Sequence, residues 1–167
     1  MEEPLARGAS RPRLLSVLGR RPRAAAVIAG DGDHPELRGV ARFYPVREGV
    51  VVFVEVGGLP RGDGPCGGRV FGLHIHAGGD CAGADFPHVM SHYDPGGCPH
   101  PGHAGDLPPL FGCDGRALSV FLTDRFTVDE VLGRMVILHD SPDDFTTQPS
   151  GNSGTKIVCG VIRQVRA

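Results

Sequence analysis

Apolar and polar positions alternate along this chain in short runs separated by turn residues. Residues 24–29 open the series, and residues 37–46 follow, ending at the turn Arg47-Glu48-Gly49. The run at 50–56 is strongly β-branched and stops at Gly57-Gly58-Leu59-Pro60. Further runs at 70–76, 117–123, 135–139 and 156–165 bring the expected strands to seven, with a weaker eighth segment near 129–132. Short runs with frequent turns and no long helical period predict an all-β sandwich or barrel. Residues 78–115 and 140–155 break the spacing as two long segments without strand character. Structureless stretches beyond about 12–15 residues inside a compact domain are usually functional or disordered, and both are read here as functional.

Ahead of the first strand, residues 1–23 form a basic arm carrying Arg7, Arg11, Arg13, Arg20, Arg21 and Arg23. A helical turn or two starting near Ser10 would gather Leu14, Leu15, Val17 and Leu18 on one apolar face. One domain is expected over 24–167. The apolar stretch 14–18 is too short for a secretory core and no small-residue cleavage site follows, so a cytoplasmic location is expected, with an extracytoplasmic one left open. A net charge of -2 calls for no nucleic-acid partner, and no apolar run is long enough to call for a membrane span. High glycine (26) and proline (15) counts fit many short strands joined by loops.

The chemistry lies in the histidines. Of eight, six fall in His74-Ile75-His76, Ser91-His92-Tyr93-Asp94-Pro95, His100-Pro101-Gly102-His103 and His139. On a strand over 70–76, Phe71, Leu73 and Ile75 share one face and His74 and His76 the other, with Cα atoms about 6.6 Å apart. Two rings pointing the same way make a chelating pair. His100, His103 and Asp106 supply two imidazoles and a carboxylate, a tetrahedral zinc set that lacks one ligand. His74, His76 and His139 lack one as well. The economical solution is for His92 to use both ring nitrogens, one for each metal. His88 is a weaker competitor on a loop surface, and His34 is placed in an exposed turn.

Gly72-Leu73-His74-Ile75-His76, Ser91-His92-Tyr93-Asp94-Pro95, His103-Ala104-Gly105-Asp106-Leu107 and the stretch from Gly151 to Ile162 resemble the copper/zinc superoxide dismutases, and the likeness keeps the family's order from about Ala24 to Val165. The resemblance implies an eight-stranded Greek-key β-barrel, related to immunoglobulin-like sandwiches, with two long metal-binding loops. It implies copper on His74, His76, His92 and His139, and zinc on His92, His100, His103 and Asp106. Asp143 would link His74 to His100, fixing both rings. The implied activity is disproportionation of superoxide anion by copper cycling between two oxidation states, with His92 handing a proton to the departing peroxide. A homodimer is open to such a protein.

Two departures stand out. Lys156 occupies the position where the family normally has an anion-orienting arginine, keeping the charge but losing the planar fork. Only two residues separate His100 from His103. Both leave room for a second reading, a non-catalytic copper- or zinc-binding protein on the same fold. Among five cysteines, the resemblance pairs Cys81 with Cys159. Cys98 and Cys113 flank the second histidine cluster, either as a staple for it or as two free thiols, and Cys66 is left over.

Overall fold

The computed structural model describes residues 14–62 and 69–166; Cys66, Arg7, Arg11, Arg13 and the expected helix start at Ser10 lie outside them. Among the described residues the strands are β1 (Ala24–Gly30), β2 (Arg38–Val46), β3 (Gly49–Gly57), β4 (Val70–His76), β5 (Asp106–Phe111), β6 (Arg116–Thr123), β7 (Met135–His139), β8 (Lys156–Val161) and the two-residue β9 (Arg163–Gln164). Neighbours run β5-β4-β7-β8-β1-β2-β3-β6, all antiparallel, with β9 beside β1. The end strands β5 and β6 meet along a seam, joined by the Cys113–Arg116 bridge of their hairpin, so the eight longer strands form a nearly closed barrel. The chain crosses from β3 to β4 and from β6 to β7, each time past two strands, which makes Greek-key connections.

Alternation builds the interior. Val50, Val52, Val54 and Val56 of β3 face inward, as do Phe43 of β2 and Phe71, Leu73 and Ile75 of β4. On the outside of β2 and β3, Tyr44 and Val51 receive Val17 from a single helical turn, α1 (Leu14–Val17).

Three strand expectations are corrected. The eighth barrel strand is β5, inside the segment read as structureless. Pro108 and Pro109 hid it: they withhold two backbone donors, and they oppose the single residue Gly72 at a register shift between Phe71 and Leu73. The segment near 129–132 is instead a 3-10 turn (Asp129–Val131), because the Glu130 carboxylate accepts from both Thr127 N and Thr127 Oγ1 at 2.7 Å and favours a local turn. Of the two readings left open for Cys98 and Cys113, the structure shows free thiols, both exposed. Cys98 lies on the loop before β5 and Cys113 in the hairpin after it. Strand β5 lies between them in the chain. The expected strand 156–165 is also divided, at Ile162, whose N–H bonds Arg134 O at 2.8 Å.

Candidate metal centre

Strand β4 is buried on both faces. Its inner residues fill the core, while His74 and His76 point outward under the long loops, beside Ile137 and Met135 of β7. His92 reaches them because the chain at 91–93 runs alongside the end of β4. His76 and His92 form a bridge, Ala77 N bonds Ser91 O at 2.8 Å, and Tyr93 N bonds Ile75 O at 2.7 Å. His139 falls on the same outer face by alternation along β7. A register shift next to it sets Lys156 of β8 opposite His139. The bulge turns both Ile157 and Val158 into the core and so throws Lys156 outward.

Hydrogen bonds fix which nitrogen of each ring faces its neighbours. His74 Nε2 donates to Asp143 Oδ2 at 2.8 Å, His76 Nδ1 to Met90 O, and His139 Nδ1 to Gly154 O at 3.2 Å. The other nitrogens, His74 Nδ1, His76 Nε2 and His139 Nε2, are buried without a hydrogen-bond partner, and so is His92 Nε2. These four residues bring ligand atoms within 4.8 Å of one another. Buried polar atoms are normally paired, so four converging lone pairs are the signature of a cation's ligands. Burial, reinforced by the neighbouring His92 and His139, lowers His74 to a pKa of about 2. Burial likewise takes His76 to about 2 and His139 to about 4. All three rings are therefore neutral near pH 7, the form that binds metal.

A second set shares His92. Its Nδ1 lies 2.8 Å from Asp106 Oδ1, while His100 Nδ1 and His103 Nδ1 lie 3.1 and 3.2 Å from Asp106 Oδ2. The His100 approach lacks hydrogen-bond alignment, so this nitrogen also remains unsatisfied. Burial pushes the Asp106 carboxyl up, but the hydrogen bond from His92 and the charges of His92, His100 and His103 outweigh it and bring it down to about 2. Three imidazoles and a carboxylate are a tetrahedral N/O donor set of the kind that holds zinc. His92 thus presents Nε2 to one set and Nδ1 to the other.

Asp143 ties the sets together. Its Oδ2 accepts from His74 Nε2 and its Oδ1 from His100 Nε2, both at 2.8 Å, with Phe145 N adding a bond of 2.7 Å. Gly151 makes room for it: a Cβ there would sit 2.0 Å from Asp143 Oδ1, and its φ of +68° disfavours other residues. Above the first set opens a cleft of about 470 Å³, with His76, His92 and His139 in its lining and Met90, Ser150 and Lys156 around them. Cys81 and Cys159 form a disulfide with Cα atoms 5.6 Å apart, and Cys159 packs with Phe86 and Val89, pinning the loop before His92 to β8. His88 stands apart, exposed and 3.2 Å from Asp80. His34 is half-buried rather than in an open turn, bonded to buried Asp31 at 2.8 Å.

The sequence model of the family "Copper/zinc superoxide dismutase (SODC)" matches residues 37–162. The chain belongs to the copper/zinc superoxide dismutase family. It is 36% identical over 151 residues to the Cu-Zn superoxide dismutase of Deinococcus radiodurans, covering 78% of this chain and 79% of that one. A Cu-Zn superoxide dismutase of Aquifex aeolicus is 31% identical over 143 residues, covering 77% and 80%. The crystal structure of a SOD-like protein from Bacillus subtilis superposes with a TM-score of 0.69 at 27% identity, over 82% of this chain and 96% of that one. Within this family frame, two side chains that the sequence did not flag touch the site: Gln148 and Arg125 hydrogen-bond backbone atoms of the loop carrying His100 and His103. No local motif marks such residues, since any chain segment supplies their partners.

Proposed function

We propose that the chain is a superoxide dismutase. In this reading copper is held by His74 Nδ1, His76 Nε2, His92 Nε2 and His139 Nε2, and zinc by His92 Nδ1, His100 Nδ1, His103 Nδ1 and Asp106. The observation that carries the reading is His92, which turns one ring nitrogen to each of two buried donor sets. When bound, copper supplies the one-electron redox change that converts two superoxide anions and two protons into oxygen and hydrogen peroxide, whereas zinc has no redox chemistry of its own.

The protein's own groups do the rest. Lys156 stands in the cleft lining and draws the anion toward His139 and His76. A chain of net charge -2 has no global field favouring an anion, so the local cation matters more. His92, held at Nδ1 by Asp106 Oδ1 at 2.8 Å, lines the cleft and would be the group to carry a proton from solvent to the product peroxide, through Nε2 whenever that nitrogen is not bound to copper. Asp143 keeps His74 in the tautomer that leaves Nδ1 free.

Lys156 in place of the family's arginine favours a second reading, a metal-binding protein without turnover. Product stoichiometry separates the two. Protein loaded with copper and zinc is expected to yield one hydrogen peroxide and one oxygen per two superoxide anions over many turnovers. Consumption limited to about one superoxide per copper would support the second reading instead.

A further inference from the structure

Residues 95–105 lead from the His92 segment to β5 without regular structure, and Pro95, Pro99 and Pro101 lack backbone donors. The loop's local bonds include Gly102 N to Pro99 O at 2.7 Å and Cys98 N to Asp94 Oδ1 at 3.1 Å. His103 N donates to Asp106 Oδ2 at 3.0 Å and Gly105 pairs with Tyr93 and Ile75 at 2.8 Å, but no regular structure fixes the backbone of 98–103 that carries His100 and His103. Among the described residues, two side chains from distant parts of the chain bond the loop's backbone. Gln148, on the second long loop, grips His100 at both ends: His100 N donates to Gln148 Oε1 at 3.0 Å, and Gln148 Nε2 donates to His100 O at 2.7 Å. Arg125, just past β6, directs one nitrogen, Nη1, at three carbonyls: Pro101 O at 2.9 Å, His103 O at 3.1 Å and Asp106 O at 3.3 Å.

Each clasp is itself anchored. Asp144 accepts from Thr146 N and Thr147 N at 2.9 and 2.8 Å and from Thr147 Oγ1 at 2.6 Å, which folds the turn that presents Gln148. Arg125 precedes Phe126, which is buried edge-on against Phe43 at 6.4 Å. The chemistry suits the tasks. A primary amide offers a donor and an acceptor together, as a paired strand does for one residue. A guanidinium nitrogen satisfies several converging carbonyls that would otherwise repel one another.

We propose that Gln148 and Arg125 are positioning residues for zinc, setting its affinity through the backbones of His100, and of His103 and Asp106. The proposal rests on reading His92, His100, His103 and Asp106 as the zinc set. Outer partners of metal ligands typically change metal affinity about 10- to 100-fold, and that loss is expected for Gln148→Ala and for Arg125→Ala.

The test is competition for zinc ion between the full chain and a chromophoric chelator of known affinity, run on wild type, both alanine variants and His103→Ala. Cobalt(II) substituted for zinc supplies a spectroscopic check, since loosened ligands shift and weaken its visible bands. The expected result is strong zinc binding by wild type, its loss in His103→Ala, a roughly tenfold or greater weakening in each alanine variant, and partial recovery in Arg125→Lys. Should an alanine variant not fold, Gln148→Glu, which keeps the acceptor for His100 N and removes the donor to His100 O, carries the same comparison. Zinc affinity within twofold of wild type in the Gln148 and Arg125 variants, with His103→Ala still impaired, overturns the positioning proposal alone. If His103→Ala binds zinc as wild type does, the zinc reading and the proposal fall together.

Discussion

Replacing Asp143 by asparagine probes the link between the two donor sets. The carboxylate is buried, and its two oxygens accept from His74 Nε2 and His100 Nε2 at 2.8 Å each. Asparagine has one carbonyl oxygen and one amide NH2. Whichever way the amide turns, one imidazole N–H faces a donor instead of an acceptor. That ring either loses its partner or moves its proton to the opposite nitrogen, Nδ1, which is the atom each ring turns toward its metal set. A hydrogen bond to a charged acceptor contributes about 1.5–3 kcal/mol, equivalent to roughly one to two decades in a binding constant. The negative charge is lost to both sets as well. Copper and zinc affinities should therefore each fall about 10- to 100-fold in Asp143→Asn. Chelator competition with each ion, on protein verified as folded without metal, reads both values. Affinities within twofold of wild type for both metals would show that Asp143 does not orient the rings.

Other outcomes follow from the same geometry. The metal-free protein should lose stability as pH falls. His74, His76 and His139 are lowered to about 2, 2 and 4 against about 6.5 unfolded, so the unfolded chain takes protons first. Their contribution is complete above about pH 6.5 and is lost progressively as pH drops toward those folded values. Denaturant midpoints measured from pH 7.5 to 4.5 should decline, and a flat profile would contradict the buried neutral rings. Cys81→Ser opens a 78-residue crosslink and should cost about 2–4 kcal/mol in unfolding free energy. An unchanged denaturation midpoint would mean the disulfide does not restrain the loop before His92. Lys156→Glu should reduce the second-order rate with superoxide at least tenfold, about 1.4 kcal/mol in barrier. The wild-type rate should also fall with added salt, since screening shortens the field to about 8 Å at 0.15 M. A rate indifferent to both changes removes Lys156 from anion guidance.

Much of the barrel was legible because β-branched runs and alternation reflect burial directly. The valines of β3 and the inner face of β4 are where the pattern put them. The arithmetic of six histidines and one aspartate already required a shared ring, and the structure brings those seven side chains into two clusters around His92. What stayed hidden depends on partners distant in sequence. Strand β5 carries two prolines that a central strand would reject, and it is tolerated at the seam opposite Gly72. The outward turn of Lys156 comes from a one-residue register shift beside His139, which no local pattern encodes. The spacing of Cys98 and Cys113 left a staple and two free thiols both open, and the structure shows free thiols on either side of β5 in the chain. Gln148 and Arg125 act on backbone atoms, so their roles emerge only once the loops are in place.

The most direct measurement of the central claim follows superoxide decay after pulse generation, with protein loaded with copper and zinc, in wild type and in His139→Ala. His139 belongs to the first donor set alone, so its loss should spare the zinc set. The account predicts catalytic decay, first order in protein and faster than an equal amount of chelated copper, with that acceleration lost in His139→Ala while zinc content holds. Decay no faster than chelated copper, or equal decay in wild type and His139→Ala, would contradict it.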